Sequence, residues 1–320
     1  MRKISIIHCT LLLLFSTLHF ASKAQDALMG LTTSHASTLN PALTGWNPSW
    51  TAGIGYKTLS SPWNHETVNI YGEYGKGAHA GGLNIFNDVQ GLGRLTSRQV
   101  TGKYAWHYDK GKWGIRLGAG LSWVNNSIDI SKLTYSTDPR TGFVKTGNEK
   151  PIPPINFASV IVGFATYYKN IYISAAAHNI NQPNQSFYHS TGPGTSLSVR
   201  YFMQIGGYIN INENICLQPS IKYNRQGIHN FIDPELQVNV KRFVVGVSKY
   251  ISPPNQNANT INLMLGYTIK NKFKIAYKYC NYSNWFAPFS SHELCFVYQM
   301  KAASNKFSEN TLARNMRKFL

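Results

Sequence analysis

Histidine is the side chain most suited to acid–base or metal chemistry near neutral pH. Beyond the first 24 residues it is scattered: His35, His65, His79, His107, His178, His189, His229 and His292. No two are spaced as the pair on one helix turn that a zinc protease uses. There is no glycine-rich phosphate loop ending in Lys-Ser or Lys-Thr, and no Gly-x-Ser-x-Gly elbow. A hydrolase would need a serine, a histidine and an acid gathered from separate strands. His178, His292, Glu235 and Glu293 are candidates by position alone, and a structural role explains each more simply. The expectation is a protein with no catalytic, cofactor or metal site.

The basic residues are better organised. Lys and Arg total 31 against 13 Asp and Glu, a formal charge of +18, yet only 14% of residues are charged. Lys76, Lys110, Lys112, Lys169, Lys241, Arg242, Lys270 and Lys272 fall at short breaks between apolar segments. Solvation at a membrane edge accounts for them. A sharper reading is a positive rim that docks an acidic partner, with Lys110, Lys169, Lys241, Arg242 and Lys270 as its centre. Nucleic acid is not an expected partner, because no aromatic–basic platform accompanies the charge.

The N-terminus sets the compartment. Arg2 and Lys3 precede the mostly apolar Ile4 to Phe20, and Ser22-Lys23-Ala24 ends in a small-residue cleavage pattern. This predicts a secretory signal over 1–24. Its removal takes away Arg2, Lys3 and Lys23, so the mature chain stays strongly basic. Cys216, Cys280 and Cys295 then remain, and an odd number leaves at least one thiol unpaired. Small packing residues are the simpler reading; a Cys280–Cys295 bridge between neighbouring strands is the alternative.

No later segment has 18 consecutive apolar residues, which excludes a helical membrane bundle. Alternation recurs instead. In Lys112 to Val124, the residues Trp113, Ile115, Leu117, Ala119, Leu121 and Trp123 take one face; Gly114, Arg116, Gly118, Gly120 and Ser122 take the other. A period of two means strands with one apolar and one polar face. Fourteen such segments start near Trp50, Thr67, Ala80, Gln99, Lys112, Phe157, Ile171, Leu197, Ile215, Glu235, Phe243, Thr260, Lys272 and Glu293. Joins alternate short and long, the long ones including Asn125 to Asn156, Asn181 to Thr195 and Ser283 to Ser291. This predicts an all-β transmembrane antiparallel up-and-down barrel over 49–300, with short turns facing the periplasm. Glycines 114, 118 and 120 would make room in the lumen.

Trp50, Tyr56, Tyr74, Tyr104, Trp106, Trp113, Trp123, Tyr167, Tyr267 and Tyr279 fit interfacial girdles. Residues 25–48 would form a short periplasmic segment, too brief for the hatch a fatty-acid transporter needs. Residues 301–320 form a basic periplasmic tail. There Leu312, Met316, Phe319 and Leu320 could line one face of a short helix opposite Arg314, Arg317 and Lys318; those three cations would join the docking surface.

The ordered set of motifs resembles the PorP/SprF family of Bacteroidetes outer-membrane proteins. Asn40-Pro41-Ala42 with Gly45 is similar to its turn after the signal. Asn87-Asp88 with Gly91 ends the third strand in the same way, and Ser291-His292-Glu293 opens the last. The resemblance implies a non-enzymatic barrel that assists type IX secretion or gliding motility, in contact with periplasmic ring lipoproteins or a giant surface adhesin. The competing reading is an outer-membrane transporter of small hydrophobic solutes.

Overall fold

The computed structural model describes residues 28–31, 34–47, 49–60, 65–91, 94–129, 134–137, 144–146, 151–188, 195–253, 259–270, 272–284 and 287–300. The expected signal, His189, and the basic tail with Arg314, Arg317 and Lys318 lie outside them.

The alternating segments become fourteen barrel strands. They are β1 (Trp50–Ser60), β2 (His65–Lys76), β3 (His79–Gln90), β4 (Leu95–Lys110), β5 (Trp113–Ser127), β6 (Ile155–Tyr168), β7 (Ile171–His178), β8 (Arg200–Gly207), β9 (Ile215–Gln226), β10 (His229–Val240), β11 (Phe243–Tyr250), β12 (Thr260–Ile269), β13 (Phe273–Asn284) and β14 (Ala287–Gln299). Ile209–Asn210 continues β8 beyond Tyr208. Every strand pairs antiparallel with its sequence neighbours. β1 closes the ring on β14, from Thr51↔Gln299 to Ser60↔Ser290. Closure leaves no free edge, so the ladder satisfies the spanning backbone without water.

The two faces are inverted relative to a soluble protein. On β5, Leu121 and Trp123 are 61% and 59% exposed while Arg116 and Ser122 are 3% and 0%. The apolar face meets lipid and the polar face lines the lumen. There, hydroxyls and amides bond across strands, as Thr101 Oγ1 does with Ser122 Oγ at 2.8 Å, and Asn262 Nδ2 with Ser248 Oγ at 3.0 Å.

The short joins gather at one end: Gly77-Ala78, Gly111-Lys112, Lys169-Asn170, residues 211–214, Lys241-Arg242 and residues 270–272. Gly77 and Gly111 adopt φ near 60°, and Lys169, Lys241 and Lys270 take the same left-handed conformation at 51°, 53° and 51°. A non-glycine residue there costs about 1 kcal/mol. Aromatic pairs ring the same end on the outside: Trp50–Tyr74, Tyr108–Trp113, Phe243–Tyr267 and Phe273–Tyr298, with centroids 5.0, 5.6, 4.8 and 4.9 Å apart.

Some expectations change. The join Ser283 to Ser291 is mostly strand, because β13 and β14 pair out to Asn284↔Ala287. The Arg225–Phe231 join contracts to Gly227-Ile228, with Gly227 at φ 59°. Leu197 lies before β8 and is buried, so the run there starts later than its alternation implied. Tyr167 is buried and faces the lumen, unlike the rest of the expected girdle, because its hydroxyl donates to Asp109 Oδ1 at 2.7 Å. Cys216, Cys280 and Cys295 are free, buried thiols, so no Cys280–Cys295 bridge is present.

Candidate functional site: an occupied lumen and a basic rim

The described part of 25–48 does not hang beneath the barrel. It runs through the lumen, from Leu28 down to Trp46, and leaves at the short-turn end into β1. Its pins come from lumen-facing positions on many strands.

At the upper end, a row of charged side chains holds bare backbone. Lys57, Glu293 and Lys278 are cross-strand partners on β1, β14 and β13. Glu293, buried, accepts from Gly30 N (2.6 Å) and Leu31 N (2.9 Å). Lys278 Nζ donates to Gly30 O (3.0 Å), and Lys57 Nζ to Leu28 O (2.8 Å). A Cβ on Gly30 would press on Glu293 Oε2 at 3.0 Å.

Lower down, Tyr71 donates to Ser34 O, and Asn69 Nδ2 donates to His35 Nδ1 at 2.8 Å. Lys103 Nζ donates to Ser37 Oγ at 3.0 Å in the single turn α1 (Ala36–Leu39). His35 is fully buried there, and its Nδ1 accepts from Asn69.

The Asn40-Pro41-Ala42 turn is the best-fitted piece. Asn40 Nδ2 donates to Phe164 O (3.0 Å) on β6 and to Ala175 O (3.1 Å) on β7, while its Oδ1 accepts from Ala42 N (2.9 Å). Pro41 opens a 3-10 turn to Leu43, where its missing N–H costs nothing. The turn lies against Gly118 and Gly163, which are cross-strand partners. A Cβ on Gly118 would overlap the Pro41–Ala42 backbone, and one on Gly163 would overlap Asn40 Oδ1. Gly45 has φ 60° and packs on Gly75 and Ala80. The Arg116 guanidinium covers the Trp46 ring at 3.8 Å. Close backbone approach is why so short a segment occupies the lumen, against the expectation that a longer hatch would be required.

The remaining motif residues divide between stapling and solvent. Asp88 is buried and accepts from Thr67 Oγ1 (2.6 Å), Gln90 Nε2 (2.5 Å) and His65 Nε2 (3.0 Å), tying β2 to β3. Asn87 lies on the other face, and Gly91 makes the following turn at φ 70°. Ser291 faces the lumen; His292 faces outward and meets the Tyr277 hydroxyl at 2.7 Å. The hydrolase candidates are not brought together. His178 bonds Leu39 O and Arg200, Glu235 accepts from Lys222 at 2.7 Å, and Glu293 holds the segment.

Sequence reasoning missed Lys57, Lys278, and the Lys222–Asp233–Glu235 cluster that ties β9 to β10 from inside. Their signal was charge at lumen-facing positions of otherwise apolar strands. Beside the segment, from Leu28 to Pro41, a cavity of about 400 Å³ reaches up toward the long loops; polar and charged side chains such as Asn84, Lys103 and Arg200 line it together with Phe86, Phe157 and Phe187.

Lys76, Lys110, Lys112, Lys169, Lys241, Arg242, Lys270 and Lys272 are all exposed at the short-turn end. The acids described there are Glu213 and Asp109, the latter paired with Arg116 at 3.6 Å.

A closed barrel with a lipid-facing apolar wall, girdled by aromatics and filled by its own N-terminal segment, defines an outer-membrane β-barrel protein. The profile described as "Type IX secretion system membrane protein PorP/SprF" matches residues 21–298, and the chain belongs to that family. It is thus an outer-membrane component of type IX secretion. No curated protein matches the chain. Among solved structures it is similar to the toluene transporter TbuX of Ralstonia pickettii (10% identity, 83% of this chain and 92% of that one, TM-score 0.53). It is also similar to the CymD monoaromatic hydrocarbon channel (10% identity, 84% and 93%, TM-score 0.52). At that identity the likeness is one of fold.

Proposed function

We propose that this barrel is a non-enzymatic accessory or scaffold of type IX secretion or gliding. On this reading it docks periplasmic ring lipoproteins, or a large surface adhesin, through its basic short-turn rim. The observation that carries the reading is the pinned lumen. A segment held by Glu293, Lys278, His178 and Asn40 leaves little open path, so the accessible chemistry is at the ends. Of the two ends, the short-turn rim has the concentrated charge, which suits an acidic partner. Short turns face the periplasm in barrels of this kind.

Lys169, Lys241 and Lys270 allow a clean test, because asparagine tolerates their left-handed conformation and removes the charge. The triple change to asparagine should leave barrel assembly intact and lower secretion, or adhesin display, several-fold. Unchanged secretion with normal barrel levels would refute rim docking.

A second reading is favoured by the three phenylalanines in the mouth cavity and by neighbours named as a toluene transporter and a hydrocarbon channel. On that reading small hydrophobic solutes would cross the barrel. Uptake of such a solute that depends on this protein would support it.

A further inference from the structure

The cavity beside the N-terminal segment has a patterned wall. Phe86, Gln99, Val124 and Phe157 are cross-strand partners on β3 to β6 and form one row across it. The row above carries Ser97 and Asn126, and the row below carries Asn84 and Thr101. Amide and hydroxyl side chains therefore flank the two ring faces from both sides. Asn126 Oδ1 is buried with no hydrogen-bond partner among the described residues.

Two cations stand at the deep end, beside α1. Lys103 lies one row further down β4, where its Nζ donates to Ser37 Oγ at 3.0 Å and forms no ion pair among the described residues. Arg200 on β8 donates to His178 Nδ1 at 2.9 Å, and His178 Nε2 donates to Leu39 O. Both cations line the cavity, and each is 8% exposed. The carboxylate of the described lining, Asp88, sits at the other end and is taken up by Thr67, Gln90 and His65.

We propose that this cavity binds a small acidic sugar, a uronate, entering from the long-loop side. Its carboxylate meets Lys103 and Arg200, its hydroxyls meet the amide and hydroxyl rows, and the apolar C–H face of its ring lies on Phe86 and Phe157. Buried cations call for an anion, and charge-assisted bonds to a carboxylate are the strong ones. An apolar solute would desolvate the amides and hydroxyls of the wall without replacing their partners. A neutral sugar would leave the two cations unanswered. A uronate meets the cations, the polar rows and the ring faces together. The volume of about 400 Å³ suits a mono- or disaccharide. The pinned segment lies along the cavity, so the sugar is held there rather than passed through.

The test is saturation-transfer NMR of the full-length barrel in detergent micelles, titrated separately with glucuronate, glucose and cyclohexanecarboxylate, with empty micelles as the blank. The three share a six-membered ring and differ in charge and hydroxyls. The native protein should bind glucuronate about tenfold more tightly than either of the others. Lys103→Gln keeps a donor for Ser37 and should weaken glucuronate about tenfold, to the level of glucose, with glucose unchanged. Phe157 is not among the pins of the segment, so Phe157→Ala tests the same site without disturbing the seat. It should weaken glucuronate and glucose alike, by several-fold. Glucose or cyclohexanecarboxylate bound as tightly as glucuronate, glucuronate binding untouched by both variants, or no glucuronate signal above the blank would each overturn the proposal.

Discussion

Gly118→Ala should unseat the N-terminal segment. The added methyl would overlap the backbone at Pro41 and Ala42, and β5 cannot withdraw because it is paired along its length with β4 and β6. The turn must therefore move, and Asn40 loses its bonds to Phe164 O and Ala175 O. Overpacking costs about 1–3 kcal/mol, and each lost bond adds about 1 kcal/mol. Two readouts should change together. The unheated barrel should lose its compact gel mobility at a lower temperature, and conductance in a planar bilayer should rise as the lumen clears. Gly120→Ala is the control on the same lumen-facing row, where a Cβ meets only an ordinary contact at 3.4 Å. If both variants behave alike, the glycine cradle is not what seats the segment.

Glu293→Ala should release the upper part of the segment while leaving the lower turn in place. Removal of this carboxylate leaves Gly30 N and Leu31 N without their acceptor. Each buried orphan donor costs about 1–3 kcal/mol, so about 3 kcal/mol is a moderate total. That is on the order of a hundredfold in the local opening equilibrium. Amide hydrogen exchange over residues 28–31 should accelerate by that factor, with exchange near Ala42 unchanged. Glu293→Gln keeps one acceptor oxygen and should lie between. Uniform acceleration along 28–47 would mean that the segment is released as one unit.

Much of the barrel was legible because a period of two leaves a trace at every strand, and the lipid-facing set Leu117, Leu121 and Trp123 is unmistakable beside Arg116 and Ser122. Glycines on the polar face were readable as space, but not as space for a particular turn. Nothing local links Gly118 and Gly163 to Asn40, residues far apart in sequence that meet only after closure. The same holds for Glu293, whose partners are backbone amides with no side-chain signature. Tyr167 was misplaced because one tyrosine beside an apolar run reads the same whichever way it points. Its burial depends on Asp109 across the lumen face. The rim lysines were found because charge at short turns is itself a local pattern.

The most direct measurement is affinity capture of the tagged full-length protein from native outer membranes in mild detergent, with the triple asparagine rim variant in parallel. The account predicts that periplasmic lipoproteins or a large surface adhesin of the secretion apparatus copurify with the native barrel and are depleted several-fold with the variant. Recovery of the barrel alone, from membranes whose uptake of a hydrophobic solute depends on it, would contradict the account and leave the transporter reading standing.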